Sequence, residues 1–131
     1  MKIHHIGYLV KSIKKALPEF LAIGYRQETD VILDETRNVE IVFLLKDMQR
    51  IELVSPKGKD SAIGNLHKKI GNSPYHICYE VDNLENTIDK LEADGYILSV
   101  EPQSAPAIDN KRVAFLFNTA IGLIEIVEVV K

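Results

Sequence analysis

The chain is poor in cysteine, with Cys78 alone in 131 residues. One thiol excludes an intramolecular disulfide framework and fits a reducing cytoplasm. No apolar run approaches the roughly 18 residues needed to span a bilayer. The opening Met1-Lys2-Ile3-His4-His5 contains no secretory-type apolar stretch. Basic blocks are absent and the net charge is −3, so nothing in the charge pattern suits nucleic acid. Low-complexity tracts are missing too. What remains is 46% apolar and 27% charged residues, an ordinary balance for a soluble globular chain. At this length roughly two-thirds of the unfolded surface is buried without a staple, and the size prior favours one domain over 1–131.

One segment occurs twice. His5-Ile6-Gly7-Tyr8-Leu9-Val10 leads to Gly24-Tyr25, and His76-Ile77-Cys78-Tyr79-Glu80-Val81 leads to Gly95-Tyr96. The two copies are 71 residues apart at the histidines, tyrosines, valines and Gly-Tyr pairs alike. Each copy closes on an apolar run around one acid, Ile51-Glu52-Leu53-Val54 and Ile124-Glu125-Ile126-Val127. The pattern predicts two tandem βαβββ modules, about 1–56 and 75–131, joined by a polar link over 57–74. The expected class is α+β, with the modules forming a cupped mixed sheet.

Within the first module, alternation over 2–10 predicts a strand. Ile13, Ala16, Leu17, Phe20 and Leu21 repeat at helical spacing over 11–23, with Ser12 as N-cap and Gly24 as stop. Pro18 falls inside that segment, where it removes one backbone hydrogen bond from the expected helix. Strands are expected at 25–33, 39–46 and 49–55, with turns at Asp34–Asn38 and Asp47-Met48. In the link, residues 61–70 suggest a short helix. The second module repeats the plan, with strands at 75–81, 96–101, 112–118 and 122–130 and a helix over 84–94. The polar, proline-punctuated stretch from Pro102 to Asn110 reads as a loop over the site.

Strand alternation assigns faces. Tyr8 and Val10 oppose His5, Tyr79 and Val81 oppose His76, Ile51 and Leu53 flank Glu52, and Ile124 and Ile126 flank Glu125. The apolar sets should pack beneath the helices. The opposite face should then carry His5, Glu52, His76 and Glu125 on a more polar, cupped surface. Two imidazoles and two carboxylates suit one divalent metal such as Ni, Co, Zn, Mn or Fe, with positions left open for a substrate oxygen. A carboxylate in that shell can take a proton from the adjacent carbon. Soft-metal ligation through the lone Cys78 is not expected; a small buried filler is the reading there. His4, next to His5, should point the other way and is read as structural, and His67 as solvated.

These segments resemble the vicinal-oxygen-chelate superfamily. The resemblance rests on His4-His5-Ile6-Gly7-Tyr8, Ile51-Glu52-Leu53-Val54-Ser55-Pro56, Tyr75-His76-Ile77-Cys78-Tyr79-Glu80-Val81 and Gly122-Leu123-Ile124-Glu125-Ile126-Val127-Glu128. It implies paired modules around a divalent metal held by His5, Glu52, His76 and Glu125. Glu52 and Glu125 would move the proton. Residues 105–117 resemble the short bacterial form of glyoxalase I (lactoylglutathione lyase), which implies conversion of a methylglyoxal hemithioacetal to a 2-hydroxyacyl thioester. The usual Asp-Pro-x-Gly before the last strand is replaced by Asn118-Thr119-Ala120-Ile121-Gly122. The alternative is methylmalonyl-CoA epimerase, in which Glu40 would be an additional candidate acid or else an exposed strand residue. A non-catalytic small-molecule-binding protein is a third reading, disfavoured by the intact ligand set. Lys111 and Arg112 are candidates for the carboxylate or phosphate of a thiol adduct or acyl-CoA, or else belong to a solvated loop. The resemblance also implies a homodimer.

Overall fold

The computed structural model describes residues 1–58 and 61–129. Val130, expected in the last strand, and residues 59–60 of the link lie outside them. The chain divides into two compact units, Ile6–Tyr75 on the one hand and Met1–His5 with His76–Lys131 on the other. The division runs through β1 (Lys2–Leu9) and β6 (Ser73–Val81).

In the Ile6–Tyr75 unit, β1 is followed by α1 (Ile13–Ala22), β2 (Arg26–Gln27), β3 (Ile32–Asp34), β4 (Val39–Lys46) and β5 (Gln49–Pro56). Their order is β2-β4-β5-β1, with β3 also on β4. β1 runs parallel to β5, and the other pairs are antiparallel. The expected strand 25–33 is split in two. Thr29 explains part of the break: its hydroxyl accepts from the Phe43 N–H and its carbonyl accepts from the Gln27 side chain, so the backbone leaves the ladder there. α1 forms where the spacing placed it. The Ser12 hydroxyl accepts from the Lys15 N–H, satisfying one of the free N–H groups of the first turn. Pro18 is tolerated on the exposed side of α1, where the carbonyl it leaves unbonded can meet water. The inner side of α1 packs Ile13, Ala16, Leu17 and Phe20 onto Val10, Val42, Leu44, Ile51 and Leu53.

The second unit repeats this. β6 is followed by α3 (Leu84–Ala93), β7 (Ile97–Ala105), β8 (Lys111–Asn118) and β9 (Gly122–Glu128). The order is β6-β9-β8-β7, again with one parallel pair, β6 on β9. α3 lies over Val81, Ala114, Leu116, Ile124 and Ile126 through Leu84, Ile88 and Leu91. Its N-cap is Asn83, whose side chain accepts from the Asn86 N–H; Asn83 is the repeat counterpart of Ser12. Both helices stop at glycines of positive φ, Gly24 at +104° and Gly95 at +98°, a backbone region that side chains disfavour.

Between the modules, the Ser61 hydroxyl accepts from the Gly64 N–H and caps α2 (Ala62–Ile70), as the link's sequence suggested. The stretch 102–110 corrects the expectation of a loop. β7 continues to Ala105, pairing Gln103, Ser104 and Ala105 with Val113, Arg112 and Lys111, and a 3-10 turn over Pro106–Ile108 follows. Pro102 fits because the ladder shifts register between Val100 and Gln103, where a residue without an N–H is tolerated. Ala105, Ala107 and Ile108 are buried. The α+β class and the two βαβββ modules with mixed strand pairing are as expected.

Candidate metal centre

The duplication places its acids by the same rule. Glu52 stands opposite Gly7 across β1 and β5, and Glu125 stands opposite Cys78 across β6 and β9. Gly7 and Cys78 are repeat counterparts, each two residues beyond its module's histidine. Ile51 and Leu53 face the α1 core, and Ile124 and Ile126 face the α3 core, so both acids are turned to the opposite face. That face is less open than a polar surface: His5, Glu52, His76 and Glu125 keep only 1, 5, 4 and 4% of their surface exposed.

Three of the four expected ligands converge within one compact unit. His5 Nε2 and His76 Nε2 are 3.2 Å apart, and Glu125 Oε1 lies 3.0 Å from the first and 3.1 Å from the second. Among the described residues, Oε1 accepts no well-directed hydrogen bond. If both rings turn lone pairs inward, as ligands do, the two nitrogens and the buried carboxylate oxygen repel one another unless a cation sits among them. Metal–nitrogen and metal–oxygen bonds are about 2.1 Å long; two donors at right angles around one ion are then about 3.0 Å apart. The observed edges fit a divalent cation. Glu52, the fourth expected ligand, belongs to the other unit, where Phe43 pairs with it across β4 and β5.

Burial pushes the Glu125 carboxyl up, but the close approach of the His5 and His76 ring nitrogens outweighs it and holds the group well below the usual carboxylate range. Glu125 is therefore anionic at neutral pH. The Phe115 ring, from the β8 residue opposite Glu125, stands edge-on to His76 with centroids 5.3 Å apart and keeps that side of the histidine apolar.

The other candidates sort by their contacts. Arg112 is held in a bidentate pair with Glu85, at 2.6 and 2.9 Å, and by Glu128 at 3.0 Å. Lys111 pairs in register with Ala105. Glu40 lies beside Val42 and Leu44 on the α1 side of β4, the face opposite Glu52, and approaches Lys57 at 3.7 Å. Cys78 is fully buried. His67, read as solvated, is half-buried, with its Nε2 2.7 Å from the Asn72 side-chain oxygen. His4 corrects the sequence reading: its Nδ1 is 2.8 Å from Nδ1 of His5 rather than turned away. Alternation along a strand fixes Cβ directions, not the reach of a ring, and the tandem His-His was the only signal available.

The family model described as the Glyoxalase/Bleomycin resistance protein/Dioxygenase superfamily matches residues 4–115. Among curated proteins, the chain is 28% identical over 116 residues to the mitochondrial methylmalonyl-CoA epimerase of Mus musculus, covering 88% of this chain and 65% of that one. It is 31% identical over 124 residues to the Bos taurus protein of the same name, covering 92% and 69%. The chain thus spans about two-thirds of the length of these relatives. Among solved structures, a hypothetical protein from Bacillus halodurans superposes with TM-score 0.87 at 28% identity, covering 99% and 95%. A Streptomyces coelicolor methylmalonyl-CoA epimerase variant in complex with 2-nitronate-propionyl-CoA superposes with TM-score 0.85 at 20% identity, covering 98% and 94%, which shows the shared fold. With that family match over most of its length, and two βαβββ modules carrying the histidines and acids at repeat-matched positions, the chain belongs to the glyoxalase/bleomycin resistance/dioxygenase superfamily, also called the vicinal-oxygen-chelate superfamily.

Proposed function

We propose that this chain is a metal-dependent epimerase acting on a 2-substituted malonyl-CoA thioester of the methylmalonyl type. The observation that carries the chemistry is the triangle of His5, His76 and Glu125, with its anionic acid in a dry site. The curated relatives support the epimerase over the glyoxalase I reading, because those matched over most of this chain are named for it. The acyl-CoA class is supported by the ligand of the Streptomyces coelicolor structure.

In this reading His5, Glu52, His76 and Glu125 hold one divalent ion, the two modules work as one domain, and the protein is a homodimer. When bound, the ion supplies Lewis-acid polarisation of the thioester carbonyl. Glu125 takes the proton from the carbon between the thioester and the carboxylate of the substrate, with Oε2 as the accepting atom, leaving the electron pair delocalised onto the thioester. Glu52, the repeat-matched acid, returns a proton to the other face of that carbon. One proton leaves and one arrives, so only configuration changes. Phe115 and the buried imidazoles keep water away while the carbon is deprotonated; between turnovers the two acids reset by exchanging protons with solvent, which carries solvent hydrogen onto that carbon.

Solvent-deuterium exchange separates the readings. Methylmalonyl-CoA in D2O with Co(II)-loaded protein should lose its C2 proton signal in proton NMR, while methylglyoxal with glutathione should give no thioester. Thioester formation without C2 exchange would return the chain to the glyoxalase I reading. Binding of a small aromatic drug with no metal uptake would favour a non-catalytic one.

A further inference from the structure

A ligating imidazole is only as well placed as the hydrogen bond on its other nitrogen. His5 turns Nε2 toward His76 and Glu125, so Nε2 must present a lone pair when it binds a cation. In a neutral ring the proton then sits on Nδ1. That Nδ1 lies 2.8 Å from Nδ1 of His4, with the rings edge-to-face and centroids 5.0 Å apart. Two Nδ1 atoms at this distance allow one arrangement compatible with a ligating Nε2. His5 Nδ1–H donates, His4 Nδ1 accepts, and His4 keeps its own proton on Nε2. His4 is half-buried whereas His5 is 1% exposed.

From this geometry we infer that His4 is a positioning residue that selects the tautomer and orientation of His5 and raises its basicity toward the metal. The inference rests on the metal reading above. It also predicts inequality between the halves, because the repeat counterpart of His4 is Tyr75, which has no ring nitrogen to play this part. Nothing in the duplication required a histidine before His5, and its acceptor stands where the ligand needs one.

The test uses Co(II) as the probe. His4→Phe keeps an aromatic ring without an acceptor, and His4→Asn places its carbonyl oxygen near where Nδ1 stands. Chelator competition should show His4→Phe binding Co(II) about 10–100-fold more weakly, with His4→Asn close to wild type. Proton NMR of the Co(II) protein should show a slowly exchanging, hyperfine-shifted N–H from His5 in wild type and His4→Asn, lost in His4→Phe. If His4→Phe fails to fold, His4→Gln replaces it, because its longer amide misses the Nδ1 position. Equal Co(II) affinity and an unchanged His5 N–H signal in the variant lacking the acceptor would overturn the role of His4 alone. A wild-type protein that takes up no Co(II) overturns the metal reading and the role of His4 with it.

Discussion

His5 and His76, which are 71 residues apart in sequence, bring their Nε2 atoms within 3.2 Å of each other. A hydrogen bond between them would require one Nε2 to carry a proton, yet each also contacts the same Glu125 oxygen. Three donors sharing so small a space are better satisfied by a cation than by one another. Metal binding should therefore stabilise the fold. With free Co(II) at a hundred times its dissociation constant, wild type should gain about 2.7 kcal/mol, read as a rise in melting temperature. His76→Ala should show no such rise. An equal metal-dependent shift in that variant would mean that the ion binds elsewhere.

Glu125 carries the proton transfer in the proposed reaction. Glu125→Gln preserves shape and removes the base, so C2 deuterium exchange should fall by about 10²–10⁴-fold. The amide also removes an anionic ligand, so metal content must be measured beside the rate. Loss of exchange at full metal loading assigns the base; near-normal exchange would remove Glu125 from that role and leave Glu52 as the candidate.

Much of this was legible in the sequence because each position could be read in two diverged copies, and a coincidence seldom survives in both. The period of two in Ile51-Glu52-Leu53 and Ile124-Glu125-Ile126 set the faces, and the α1 and α3 cores keep them. Edges were less legible. β7 alternates exposed and half-buried residues without a continuous apolar set, since one side of an edge strand packs weakly; hydrophobic period therefore stopped before Pro102 while the backbone ladder did not. The break within 25–33 depends on Thr29 bonds that no pattern announces. Glu40 shows the limit of register reading: one residue of slip separates the α1 face from the face of Glu52, and only the pairing of Phe43 with Glu52 decides it.

Acid should weaken the metal-free protein in a defined window. Burial raises the Glu125 carboxyl, but its imidazole neighbours lower it further, so its folded value lies below its unfolded one. A group lowered in this way stabilises the fold above its unfolded value, about 4.3 for glutamate, and that contribution is lost as pH falls through the folded value. Urea midpoints of metal-free wild type and Glu125→Gln, compared between neutral and strongly acid pH, should converge on the acid side. A constant difference would mean that the Glu125 charge adds nothing to folding.

Glu128 joins two parts of its module at once. One carboxylate oxygen accepts from the Leu84 N–H at 2.9 Å, satisfying a free donor in the first turn of α3, and the same group pairs with Arg112. Glu85 binds the other side of Arg112 but is largely exposed, with 57% of its side-chain surface open against 19% for Glu128. Solvent screening weakens the Arg112–Glu85 pair, while loss of Glu128 strands a helix N–H. Glu128→Ala should therefore cost about 1–2 kcal/mol by urea denaturation, and Glu85→Ala distinctly less. Equal losses would mean that the Arg112 pairs, rather than the helix cap, carry the stabilisation.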